Sequence, residues 1–146
     1  MGLFDKILGS SGPTKLSKPE AFAGVMLAVV AADGHISDEE GEAFMASINR
    51  MQMFREQSGA EHKAMMNKLF GVLKKQSAGE LVKLAGAALS PAHREAAFAA
   101  ATDLVFVDGS VDDAEKAVLE NIQRALEIPD ELAEQIVRVM EIKNRN

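Results

Sequence analysis

Two stretches of the sequence share one pattern and indicate the fold: VAADGHISDEE at residues 30–40 and VFVDGSVDDAE at residues 105–115. The copies are in register at an offset of 75 residues. Each joins an apolar segment to an Asp-Gly turn, one aliphatic residue and an acidic segment. The offset also aligns apolar residues outside the stretch: Phe22 with Ala97, Met26 with Ala101, Val29 with Leu104 and Phe44 with Leu119. The sequence therefore predicts two equivalent helical hairpins that pack as a pseudo-twofold pair.

Helix starts can be located from capping chemistry. In a capping box, a Ser, Thr or Asp cap and a Glu or Gln three residues later each satisfy the other's backbone N–H. Residues 37–40, 58–61, 77–80 and 112–115 fit this pattern. Prolines 19, 91 and 129 indicate three more starts, because proline suits the first helical position. With apolar residues at helical spacing, the sequence predicts seven helices and no strand, at about 19–32, 38–53, 60–76, 79–89, 91–107, 113–126 and 130–142.

The predicted helices form one all-α bundle in a chain of 146 residues. Residues 1–16 are interpreted as an amphipathic head, with Leu3, Phe4, Ile7 and Leu8, followed by a flexible break. This head either docks on the core or makes a weak contact with a membrane or a partner. Residues 17–146 form the helical domain: a first repeat at about 19–53, connecting helices at about 58–89, a second repeat at about 91–126 and a terminal helix at about 130–142.

Composition excludes several kinds of function. The chain has no cysteine, so disulfides, thiolate metal sites and cysteine nucleophiles are ruled out. Its net charge of −6 argues against nucleic acid and anionic lipid as partners. The longest apolar stretch is too short to span a bilayer, and the first residues lack the features of a signal peptide. We therefore expect a cytoplasmic protein without a transmembrane segment.

The acids of the repeated stretch fall into two groups. Those at the helix starts are favoured by the helix dipole and can act simply as caps. Asp33 and Asp108 instead follow apolar helices, where the dipole disfavours a negative charge. They can serve as turn formers that bond downstream N–H groups, or a cation can compensate their charge.

The spacing of each copy matches half of a known cation site. Asp-Gly-x-(Ile/Val)-x-x-x-Glu is the second half of an EF-hand calcium loop. The first half is missing, because its ligand positions hold Val29 and Ala31 in one copy and Leu104 and Phe106 in the other. A bound ion would therefore take ligands from both copies or keep several waters. Oxygen ligands favour calcium, magnesium or manganese.

The repeated stretch resembles the TerB family of tellurite-resistance proteins and the TerB-like domain of some membrane-anchored co-chaperones. The residues that carry the resemblance are those of 32–40 and 107–116, with further similarity at the opening Leu3-Phe4-Asp5-Lys6-Ile7 and the closing Leu126-Glu127-Ile128-Pro129. It implies an all-α bundle of about seven helices, located in the cytoplasm and encoded in bacterial operons for tellurium and stress response. It also implies other proteins of that system as partners, including a membrane protein, so that the chain would reach the inner membrane through a partner.

The resemblance further implies a divalent-cation site in the repeated turns. Carried onto this sequence, its ligands are Asp33, Glu40, Asp108 and Glu115, with Asp112 as a further candidate. Ser37 stands where the second copy has Asp112, so the ligand set is not symmetric.

The sequence leaves three alternative functions to be compared. The first is a non-enzymatic module that binds a divalent cation and partner proteins. The second is a metal-free scaffold or co-chaperone-type module whose acidic turns contact a basic partner. The third, an enzyme, is disfavoured because the chain has neither cysteine nor tyrosine and carries no glycine-rich phosphate loop or paired helix histidines.

Overall fold

The computed structural model of this chain describes residues 14–32, 37–107, 109 and 111–145. These residues form one all-helical domain with eight helices and no strand. The helices are α1 (Lys18–Val30), α2 (Asp38–Arg50), α3 (Gln52–Arg55), α4 (Gly59–Lys75), α5 (Ala78–Ala88), α6 (Pro91–Val105), α7 (Asp113–Ala125) and α8 (Asp130–Lys143). The predicted all-α bundle is confirmed. Most of the predicted head, residues 1–13, lies outside the described residues.

Helix α1 is the centre of the bundle. Every residue from 21 to 30 is buried, because α2, α4, α5, α6 and α7 all contact this helix. Apolar residues all round a helix are typical of such a position. Helix α5 makes the most extensive contact with α1, and Gly24 permits its approach: a Cβ at this position would lie 3.2 Å from Leu81 Cδ1.

The two predicted hairpins, α1–α2 and α6–α7, pack against each other. α1 lies on α6, while α2 also contacts α6 and α7 also contacts α1. Residues related by the 75-residue offset are buried alike: Phe22 and Ala97, Met26 and Ala101, Val29 and Leu104, Val30 and Val105, Phe44 and Leu119. The twofold relation between the hairpins stays a prediction.

Most predicted helix starts are confirmed by their caps. Complete capping boxes begin α2, α4 and α7, whereas only the serine half of the Ser77 box forms at α5. A further complete box, Ser17 with Glu20, begins α1. The prediction for Pro129 is wrong: it is the extended N-cap of α8, with φ −60° and ψ 146°, and not its first helical residue.

One predicted helix is divided in two. The interval predicted as 38–53 breaks at Met51, whose backbone is extended, and the chain then forms α3. This turn of helix buries Phe54, whose ring meets Phe22 edge to face at a centroid distance of 6.5 Å. None of the helices in the described ranges has the length and hydropathy that a bilayer crossing requires.

Candidate functional site

The start of each repeated helix is closed by a complete capping box. Glu40 N–H donates to Ser37 Oγ at 3.1 Å, and Ser37 N–H donates to Glu40 Oε1 at 3.3 Å. In the second copy, Glu115 N–H donates to Asp112 Oδ1 at 2.7 Å, and Asp112 N–H donates to Glu115 Oε1 at 3.2 Å. The predicted capping roles of these acids are therefore confirmed. Asp112, with one carboxylate oxygen on the backbone, is exposed to solvent.

Burial separates these two boxes from the other complete ones. Glu40 is 8% exposed and Glu115 is 6% exposed, and together with Thr102 they are the buried polar residues of the described chain. Glu61 in the box of α4 is exposed, and Glu20 in the box of α1 is only half-buried. The hydrogen-bond pattern is the same in all four boxes, so capping alone does not account for the burial.

The pKa of each of the two more accessible glutamates is held below its ordinary value. For Glu20, burial alone would raise the pKa, but hydrogen bonds with Ser17 and the nearby Lys68 ammonium outweigh it. Glu20 Oε1 lies 2.9 Å from Lys68 Nζ, which also donates to the carbonyl of Lys15. For Glu61, hydrogen bonds with Ser58 lower the pKa. These hydrogen bonds and the Lys68 ammonium therefore account for the lowered pKa of the two carboxyl groups.

The helix positions of Glu40 and Glu115 are compatible with their burial. Each lies in the first turn of a helix, four residues before an apolar core residue, Phe44 or Leu119. Residues four apart share one face of a helix, so each carboxylate lies on the side that packs on the core. Glu61 stands likewise four residues before the buried Met65 and is exposed, so this spacing alone does not cause the burial. Burial of a charge is costly, and the first-turn N–H groups and the helix dipole offset part of this cost.

The helices that precede the two Asp-Gly sequences end earlier than the sequence predicts. Helix α1 ends at Val30 and α6 at Val105, although helix was predicted to continue to residues 32 and 107. Asp33 and Asp108 themselves lie outside the described residues. Gly109 has φ 81°, which confirms the predicted left-handed turn of the second copy. Gly34, its predicted equivalent, lies outside the described residues.

Three of the five predicted metal ligands are described. Glu40 and Glu115 are buried, Asp112 is an exposed cap, and Asp33 and Asp108 lie outside the described residues. Across the ranges that the structure covers, no three His, Cys, Asp or Glu side chains gather into a cluster that could hold an ion. Since the two aspartates are not among them, the predicted ligand set stays a prediction.

A further acid that a helix dipole disfavours is not apparent from the sequence. Asp103 lies in the last turn of α6, where a negative charge is unfavourable. Lys143 Nζ of α8 lies 3.1 Å from its Oδ1, and Asn144 Nδ2 donates to the same oxygen at 2.8 Å. An aspartate near a predicted helix end is the sequence feature that could have revealed it. Its partners, however, are 40 and 41 residues away in the sequence.

The chain was compared with protein families, curated proteins and solved structures. The model of the family described as tellurite resistance protein TerB matches residues 19–138. This interval spans most of the chain, from the start of α1 into α8, and includes both repeated turns. No curated protein and no solved structure matches the chain. The chain belongs to the TerB family.

Proposed function

We propose that this member of the TerB family is a non-enzymatic module of a bacterial tellurite-resistance and stress-response system. It binds partner proteins and a divalent cation through its duplicated acidic turns. It works in the cytoplasm and reaches the inner membrane through a partner. Its link to tellurite resistance comes from the family match over residues 19–138.

The observation that carries the cation part of this proposal is the burial of Glu40 and Glu115. Both follow an Asp-Gly turn and occupy the same place in the repeat. A buried carboxylate retains its charge at a modest cost only where positive groups or hydrogen-bond donors face it. A divalent cation at the turn would supply positive charge to both glutamates.

The residues fit a hard cation. Three of the proposed ligands lie in the part of the chain that the structure describes and offer carboxylate oxygens: Glu40, Asp112 and Glu115. The remaining members of the proposed ligand set are Asp33 and Asp108. Calcium, magnesium and manganese take such ligands, and calcium needs 6–8 oxygens. Water would complete the set. When bound, the cation would fix the acidic turns and neutralise their charge.

Binding, not chemistry on tellurite, suits this composition. The chain has no cysteine, so it has no thiolate to coordinate or reduce the oxyanion. It also has no tyrosine and no tryptophan. We therefore propose that the chain contributes to resistance through assembly with other proteins.

Thermal unfolding with added cations tests this function. At about 100 times the dissociation constant, calcium, magnesium or manganese should stabilise the wild type by roughly 2.7 kcal/mol. The double substitution Glu40→Gln and Glu115→Gln should remove this response while Gln keeps the capping hydrogen bonds. Glu20→Gln with Glu61→Gln is the matched control and should retain the response. The cation site is refuted if millimolar amounts of all three ions leave the wild-type melting temperature unchanged.

A metal-free scaffold is the second candidate, and a separate observation favours it. Asp38, Glu39, Asp112 and Asp113 are all exposed at the starts of the repeated helices. Such carboxylates can face a basic surface of a partner. This function predicts that an oligolysine probe binds the chain in a salt-sensitive way, and that a chelator does not change its affinity. Chelator-sensitive binding would favour the cation-dependent function instead.

A further inference from the structure

A groove runs between α7 and α8. α8 packs on α6 but barely contacts α7, although a short turn joins the two helices. At that junction, Gln123 Nε2 donates to Asp130 Oδ1 at 2.7 Å and to the carbonyl of Ile128 at 3.1 Å. The helices are thus fixed at one end and leave a cleft between them.

The floor of the groove is apolar. It consists of two adjoining cavities of about 490 and 500 Å³, which share Leu119 and Val137. Phe98 and Ala133 extend the floor towards the junction, and Phe106 extends it towards the second Asp-Gly turn. Along α8 the lining runs from Asp130 to Glu141. At 1.5 Å per residue this is roughly 16 Å, the length of about three helical turns.

The rim of the groove is acidic. Glu120 of α7 and Glu134 of α8 lie on opposite walls, and Asp130 and Glu141 line the same groove. Lys116 and Arg138 are the two basic side chains that line the cavities. In the described part of the chain, neither Glu120 nor Glu134 forms an ion pair within 4.0 Å. Glu141 pairs with Arg145 at 3.5 Å and Asp130 accepts from Gln123, so Glu120 and Glu134 are the carboxylates that the rim presents to a ligand on the floor.

We propose that this groove binds an amphipathic helix of a partner protein, with Lys or Arg residues beside its apolar stripe. This inference rests on the partner-binding part of the proposed function, but it assigns that role chiefly to α7 and α8 and not to the exposed acids of the turns. Apolar side chains at i, i+3 or i+4, and i+7 would lie on Leu119 and Val137. Basic side chains on both flanks would face Glu120 and Glu134, so that charge complementarity selects the partner and speeds its association.

Two occupants from this protein itself fit less well. A second copy carries the same net charge of −6, so it would meet the acidic rim with repulsion. The first eight residues contain one lysine and one aspartate, and so offer no excess of basic side chains. The charge of the rim thus favours a basic helix from another protein.

A synthetic peptide makes this inference testable on the full chain. The probe is a peptide of about 14 residues with Leu at helical stripe positions, one Trp in the stripe and Lys elsewhere. Because the chain has no tryptophan or tyrosine, the indole emission reports the peptide alone. A peptide with Glu in place of every Lys is the matched control. All titrations contain a chelator at low salt.

Two charge-reversed variants distinguish the groove from general attraction to an acidic protein. Glu120→Lys with Glu134→Lys should weaken binding of the basic peptide about tenfold, because each change turns an attraction into a repulsion. Glu42→Lys with Glu95→Lys changes the net charge equally at exposed sites outside the groove and should leave the affinity within about twofold of wild type. Circular dichroism verifies that both variants are folded.

Amide and methyl NMR shifts identify where the peptide binds. Shifts concentrated at Leu119 and Val137, with no binding of the acidic peptide, support the inference. No binding, equal weakening by both variants, or shifts elsewhere would overturn it. Contacts of Leu3 or Leu8 with Val137 in the free chain, or a dimer that covers the groove, would also overturn it. The variants of Glu120 and Glu134 leave all five proposed cation ligands in place, so failure of the groove and failure of the cation site are distinguishable.

Discussion

The end of helix α7 provides a sharp test of the structural reasoning. Glu127 has φ 58° and is the non-glycine residue with positive φ in the ranges covered by the structure. The cap is a Schellman motif: Ile128 N–H donates to the Gln123 carbonyl at 3.0 Å, and Glu127 N–H donates to the Arg124 carbonyl at 3.1 Å. Glycine is the usual residue at such a position because it has no Cβ to clash. We predict that Glu127→Gly stabilises the protein.

Three contributions determine the size of this effect. Relief of the left-handed strain contributes about 1–2 kcal/mol. The greater freedom of glycine in the unfolded chain removes about 0.4–1 kcal/mol of this gain. The ion pair with Arg94 is lost, but it is long at 3.8 Å and the Glu127 side chain is 79% exposed. Such a pair contributes a few tenths of a kcal/mol at most. The net stabilisation is about 0.5 kcal/mol, or roughly 2 °C in Tm for a chain of this size.

Urea and thermal unfolding, followed by circular dichroism, measure this difference. Glu127→Gln is the matched control, since it also removes the ion pair but keeps a side chain in the left-handed conformation. Glu127→Gly should therefore be more stable than Glu127→Gln by about 0.5–1 kcal/mol, the strain relief less the entropy of glycine. A glycine variant that is no more stable than the glutamine variant would refute the assignment of strain to this cap.

Two further predictions concern stability. Gly86→Ala should destabilise the protein by about 1–3 kcal/mol in urea unfolding, because the new Cβ would lie 3.0 Å from the backbone carbonyl oxygen of Ala125. Gly71→Ala, with nothing within 4 Å of its Cβ, should instead stabilise it by about 0.5–1 kcal/mol, and the reverse order would contradict the close approach of α5 and α7. Because the folded-state pKa of Glu20 is lowered, its contribution is present above the unfolded pKa and is lost as pH falls through the folded pKa. Unfolding free energies measured between about pH 6 and pH 3 should thus fall less for Glu20→Gln than for the wild type, and parallel profiles would contradict this role.

Helix starts were predictable because their chemistry is local. The boxes at α2, α4 and α7 each lie within four consecutive residues, so the sequence alone placed them. The division between α2 and α3 was not predictable in this way, because position 51 is a methionine and no glycine or proline marks the break. Its cause is tertiary: a separate turn of helix carries Phe54 into contact with Phe22 of α1.

The candidate site shows the same limit. The sequence predicted that Glu40 and Glu115 cap helices, and both do so. It could not predict that they are buried while Glu61 is exposed, since burial depends on which helix faces pack together. The groove between α7 and α8 could not be predicted from the sequence either, because it arises where two helices adjacent in the chain fail to pack against each other.

Asp103 shows how this fold compensates an acid that is disfavoured by a helix dipole. The chain supplies Lys143 and Asn144 from another helix, so no ion is needed there. Compensation by a distant side chain is therefore a real alternative to a cation at Asp33 and Asp108. Substitution of both aspartates by Asn separates the alternatives: removal of uncompensated charge should slightly stabilise the cation-free protein, whereas removal of a salt-bridge partner should destabilise it.

The proposed groove and the second acidic turn share residues, which constrains how they can act together. Gly109 and Val111 line the end of the groove, and the predicted ligands Asp108 and Asp112 are their neighbours in sequence. By linkage, a cation and a partner helix must change each other's affinity by the same factor. A cation near the acidic rim weakens its attraction for a basic helix, so electrostatics alone gives negative coupling. An ion that positions Val111 for contact with the helix gives positive coupling. The sign of the coupling therefore reveals whether the acidic turn acts on the groove through its charge or through its conformation.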